Sequence, residues 1–135
     1  MIVLDSSFLV AYHNEQDVHH SAATRVMGRV RNDEWGAALL PEYVFLEVTT
    51  VIAARLGLKE AVTVGETLLA AEEVEFIPCS EFFLDSFEIF RSQGDRGMSF
   101  ADAAIVAIAR RRGAPFVATF DRDFRGIEGL GVIPR

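Results

Sequence analysis

Apolar positions along the chain follow two rhythms. Short unbroken runs occur at Ile2-Val3-Leu4 and over residues 37–40, 74–77 and 115–118. Runs that brief, bounded by polar or turn-forming residues, read as strands buried on both faces. The stretches between them place apolar residues at helical spacing. Over residues 20–30, Ala23, Val26, Met27 and Val30 share one face. Residues 8–13, 42–56, 59–73, 81–91 and 99–112 also read as helices. The breaks are chemically marked: Pro41 suits the first position of a helix, Gly57 and Gly113 suit helix ends, and Pro78 stops a strand. Residues 119–123 read as a turn and 131–133 as a terminal strand. Strands alternating with helices predict an α/β fold of three layers, α/β/α, with a short central parallel sheet covered by helices on both faces. Ligands of such sheets lie beyond the carboxyl ends of the strands, which is where Asp5 and Asp121 fall.

Composition leaves that picture intact. A chain of 135 residues, half of them hydrophobic, suits one domain with a proper core, and no linker-like or repetitive tract divides it. Residues 1–135 are therefore expected to form a single domain. No apolar run approaches the roughly 20 residues of a membrane-spanning helix, and the first residues lack the basic start of a secretion signal. Cys79 is the only cysteine, so no intrachain disulfide can form. These features together point to the cytoplasm. Charge matters more. A formal net charge of −7 argues against a nucleic-acid partner. The objection lapses if the acids are gathered in one cleft, where divalent cations reverse the local sign.

Four acids stand in places that invite that reading. Asp5 directly follows a buried strand, and Asp121 follows the fourth strand. Glu47 lies within the largely apolar Tyr43-Val44-Phe45-Leu46-Glu47-Val48, and Asp102 within Phe100-Ala101-Asp102-Ala103-Ala104-Ile105-Val106. An unpartnered buried carboxylate costs several kcal/mol, roughly, or takes up a proton, so several in one fold suggest a shared cation. Each acid also has a plainer explanation. Asp5 can cap the following helix, Asp102 stands three residues after Ser99 as in a capping box, and Asp121 can be an ordinary turn residue. Their joint pattern is more telling than any one of them.

That pattern resembles the PIN-domain nucleases, and among them the VapC-type toxins of bacterial and archaeal toxin–antitoxin pairs. Ile2-Val3-Leu4-Asp5-Ser6-Ser7 looks like the family's opening strand with its first catalytic acid. The stretch from Pro41 to Val48 looks like the helix carrying the second, Glu47, and Ser99-Phe100-Ala101-Asp102-Ala103 like the block of the third. Thr119-Phe120-Asp121-Arg122-Asp123-Phe124 looks like the last block, with Thr119 and Asp121 at its hydroxyl and acid positions and Asp123 as a competing acid. The resemblance implies a PIN-like domain and a metal-dependent endoribonuclease, the toxin of a type II pair. It also implies an RNA substrate, a homodimer and a small cognate antitoxin.

The donor set is all oxygen, which suits Mg²⁺ and, by similar preferences, Mn²⁺. Asp5 and Asp102 are expected as principal ligands, with Glu47 and Asp121 ligating directly or through water. Ser6 and Thr119 are expected to support them. Arg91, Arg96, Arg122 and Arg125 are candidate phosphate contacts, whereas Arg110, Arg111 and Arg112 end a helix, where arginines are favoured anyway. His13, His19 and His20 lack the spacing of a zinc site. Alternatives are a non-catalytic binding module on the same fold and another metal-dependent phosphoryl-transfer enzyme. A response-regulator receiver would need a lysine after its last strand, but the only lysine is Lys59. A haloacid-dehalogenase-type phosphatase would need an aspartate where Ser7 stands.

Overall fold

A computed structural model describes residues 1–135. The chain runs β1 (Ile2–Leu4), α1 (Ser6–His13), α2 (His20–Arg31), β2 (Ala38–Pro41), α3 (Glu42–Leu56), α4 (Leu58–Ala70), β3 (Val74–Ile77), α5 (Phe83–Arg91), α6 (Phe100–Arg112), β4 (Phe116–Ala118) and β5 (Gly131–Ile133). All five strands are parallel, in the order β3-β2-β1-β4-β5. Helices flank the sheet: α6 packs on β1 and β2, and α3 packs on β2 while bridging to α1 and α4. Each residue of the central β1 is fully buried, as an unbroken apolar triplet between two helical layers should be. No helix is long and apolar enough to cross a membrane.

Three boundaries depart from the sequence pattern. The helix expected over 59–73 is α4, which ends at Ala70, because Ala71 turns extended to let β3 begin. Residues Ser80–Phe82 tighten into a 3₁₀ turn ahead of α5. Pro41 closes β2 and precedes α3 instead of opening it, its φ of −65° serving either role. Gly113 terminates α6 in the left-handed conformation (φ 69°), which costs a glycine little. Near that end, Arg111 pairs with Asp85 and Arg112 with Glu75, both at 2.6 Å.

Strand order fixes where the site lies. The chain moves outward from β1 through β2 to β3, then crosses to the other side of β1 for β4 and β5. The connections leaving β1 and β4 therefore run in opposite directions along the sheet, and a crevice opens beyond the carboxyl ends of these two neighbours.

Candidate active site

At that crevice, Leu4 is in register with Ala118, and the Asp5 N–H donates to the Ala118 carbonyl at 3.0 Å. The ladder thus delivers Asp5 and Thr119 side by side, although they are far apart in sequence. Thr119 Oγ1 donates to Asp5 Oδ2 at 2.7 Å, and Ser7 Oγ donates to the same oxygen at 2.8 Å. With both hydroxyl protons committed to Asp5, the hydroxyl oxygens are left to accept. Thr119 Oγ1 takes the Asp121 N–H at 2.9 Å, and Ser7 Oγ takes the Phe120 N–H at 3.0 Å. Two hydroxyls thereby bind the first acid to the loop carrying the last ones. Ser7, not the expected Ser6, makes these bonds; Ser6 lines the cleft beside it.

Asp102 comes from the first turn of α6. Its Oδ2 accepts the Ser99 N–H at 3.0 Å while Ser99 Oγ accepts the Asp102 N–H at 3.1 Å. That capping box occupies one carboxylate oxygen and leaves the other for the cleft. Asp121 Oδ1 accepts the Asp123 N–H at 2.9 Å, which shapes the 3₁₀ turn Arg122–Phe124. Asp102, Asp121 and Asp123 bring one carboxylate oxygen each to within 4.8 Å of one another. Glu47 reaches the same cleft from α3. Its surroundings correct the impression given by its apolar neighbours in sequence: Glu47 is exposed, as is Leu46 beside it.

The acids act on one another through space. Burial pushes the Asp5 carboxyl above its ordinary range; the Thr119 and Ser7 hydroxyls and the Ser6 backbone oppose this, and the Glu47 charge adds to it. Burial likewise raises Asp102 to about 6, against the pull of Ser99 and with the help of the charges on Asp5 and Asp121. A half-buried, all-oxygen set of mutually repelling carboxylates fits a hard divalent cation and little else. The three histidines join no metal-binding group.

The cleft encloses about 550 Å³. None of Arg91, Arg96, Arg122 and Arg125 lines it. Arg91 is paired with Glu88 at 2.8 Å. Arg96 Nη1 donates to the Asp123 and Arg125 carbonyls at 3.2 and 2.7 Å, so it anchors the acid-bearing loop from behind. Arg122 and Arg125 are exposed on that loop. The cation that does line the cleft is Arg55, which makes no ion pair. Its signal was available in the spacing: Glu47, Val51 and Arg55 are four residues apart and so share one face of α3. Asp17 and His19 also line the cleft, from a loop that carries no periodic pattern.

A fold of this topology with its acids at the crossover is that of a nuclease family. The PIN domain model matches residues 2–130, and the chain belongs to the PIN domain family. Across 99% of both chains it is 27% identical to the 23S rRNA-specific endonuclease VapC20 of Mycobacterium tuberculosis. The crystal structure of VapC20, described as a sarcin–ricin loop cleaving toxin, superposes with a TM-score of 0.82 at 25% identity, covering 92% of each chain. VapBC2 of Rickettsia felis, bound to a DNA fragment from its promoter, gives a TM-score of 0.70 at 15% identity over 98% of this chain and 97% of that one. This last likeness is one of fold.

Proposed function

We propose that this protein is a Mg²⁺-dependent endoribonuclease, the toxin of a type II toxin–antitoxin pair, acting on structured RNA in the cytoplasm. Asp5, Glu47, Asp102 and Asp121 are its catalytic acids. The observation that carries the reading is the convergence of these carboxylates at the β1/β4 crossover, where they repel one another in the absence of a cation. Asp5, Asp102 and Asp121 would hold the metal, with Asp123 as an auxiliary ligand. Asp121 is preferred to Asp123 as the fourth acid because it is nearer the end of β4 and its N–H is held by Thr119, which also binds Asp5. A divalent cation held there supplies positive charge to the phosphate and leaving oxygens and acidifies a water molecule.

The chain's own groups perform the remaining tasks. Ser7 and Thr119 fix Asp5 in one orientation, so little reorganisation is needed when substrate arrives. Glu47, exposed and unencumbered by partners, takes the proton of the attacking water at its carboxylate. Arg55 grips a neighbouring phosphate on the same wall. The name of VapC20, a 23S rRNA-specific endonuclease, supports RNA as substrate, and a small antitoxin as partner is part of the proposal. A homodimer is part of the same proposal.

Cleavage of total RNA, with Mg²⁺ and with chelator, tests the reading. Asp5→Asn removes a ligand charge with almost no change in shape and should lower cleavage by at least about a hundredfold. Asp123→Asn should be tolerated far better than Asp121→Asn. Parent-like cleavage by Asp5→Asn would remove the four-acid assignment.

A further inference from the structure

The same cleft carries an aromatic wall that phosphodiester chemistry leaves unused. Phe8 of α1 is fully buried. Phe120 stacks over it with ring centroids 6.4 Å apart and planes 29° from parallel. His19 in turn lies on Phe120, 4.3 Å between centroids and only 5° from parallel. Phe120 thus links a ring of the core to an exposed imidazole at the rim of the cleft. No other aromatic ring covers the opposite face of His19.

The segments carrying Phe120 and His19 are tied down by hydrogen bonds. The His19 N–H donates to Asp17 Oδ1 at 2.8 Å, and the Gln16 N–H to Asn14 Oδ1 at 3.1 Å, so the loop before α2 is tied by its own side chains. The Phe120 N–H donates to Ser7 Oγ, the hydroxyl that also orients Asp5. The stack is therefore built into the same frame as the acids, one residue from Asp121. A preorganised flat face beside a phosphate-cutting centre suits a base that has been turned out of its helix, because every base offers a π-face. An exposed imidazole lying flat on Phe120 has its other face free to receive a base, whereas an imidazole serving only to carry a proton needs just its nitrogens.

We infer that the His19–Phe120 stack is a platform receiving one unpaired nucleobase next to the phosphate cut at the acids. This rests on the ribonuclease reading, and the test separates the two. In NMR titrations of the intact protein, adenosine 5′-monophosphate should move the His19 ring protons upfield by ring current, and ribose 5-phosphate should not. In cleavage of purified ribosomal RNA, His19→Ala should raise KM about tenfold with kcat altered by less than about twofold. His19→Phe, which keeps a flat ring without the nitrogens, should bring KM back to within about threefold of the parent. Equal shifts from ribose 5-phosphate, or a parent-like KM in His19→Ala, would overturn the platform. If the parent cleaves no RNA at all, the ribonuclease reading falls, and the two titrations alone decide whether the base site exists.

Discussion

Asp102 divides one carboxyl between two roles: an oxygen closes the capping box of α6, and the group faces three other acids. Its folded pKa of about 6 stands above the ordinary 3.8. Between those values the folded chain keeps a proton that the unfolded chain has released, so stability is lost as pH rises through this window, and the whole cost is present above about pH 6. Asp102→Asn keeps a cap acceptor and removes the charge. Without metal, the variant should be more stable than the parent at pH 7 by about 1 kcal/mol, a figure reduced for partial exposure, and the difference should vanish near pH 4. Mg²⁺ should raise the melting temperature of the parent far more than that of the variant. Thermal melts at the two pH values, chelated and metal-loaded, check this; a variant less stable at both would mean that the cap outweighs the repulsion. At this scale the sequence was legible for Asp102, since the Ser99 spacing named its cap in advance. It was misleading for Glu47, whose apolar neighbours include residues on the helix surface. It was mute on Ser6 against Ser7: consecutive helical positions point about 100° apart, and only the position of β4 selects between them.

Elements set the angle at which these residues meet. The acid-bearing loop after β4 is shaped from within by the Asp121–Asp123 bond and from behind by Arg96. Gln93 braces the segment that presents Arg96, bonding both the N–H and the carbonyl of Met98, at 2.6 and 2.9 Å. Arg96→Met should free two carbonyls and loosen the loop, costing about 1–2 kcal/mol of stability and weakening Mn²⁺ binding several-fold while leaving RNA binding in chelator unchanged. Calorimetric titration with Mn²⁺ reads the first effect. Selective loss of RNA affinity would instead return Arg96 to the phosphate contacts expected from sequence. Strands and most helices were legible because their signals are local: an unbroken apolar triplet, a glycine at a helix end, a serine three residues before an acid. Arg96 was not, because a clamp across 27 residues leaves no periodic trace.

Across the whole molecule, exposed aromatic and aliphatic side chains gather on one part of the surface. Phe83 and Phe90 of α5 and Tyr43 of α3 gather around Phe100 of α6, with centroids 5.4 to 6.1 Å apart. Phe83, Phe87 and Phe90 are between 37 and 50% exposed, and Leu84 is 78% exposed. Of Phe82, Phe83, Phe87 and Phe90, only Phe82 enters the core. Patches of this kind mark interfaces. Light scattering at micromolar concentration should therefore give a dimer, and Phe83→Asp combined with Phe87→Asp should give a folded monomer by circular dichroism. A parent that is monomeric throughout would exclude the homodimer.

The clasp of Ser7 and Thr119 on Asp5 joins groups up to 114 positions apart. Contacts of such span form late, since a long loop must close before they repay it. They also tie catalysis to synthesis. A ribosome must pass residue 119 before Asp5 can be held, and residue 121 before the last acid exists. A polypeptide that ends between residues 102 and 116, whether by stalling or by a premature stop, carries Asp5, Glu47 and Asp102 without the strand that brings Thr119 to Asp5. For a protein that destroys RNA, this is a form of quality control written into topology: a chain that ends early lacks the partner that clasps Asp5.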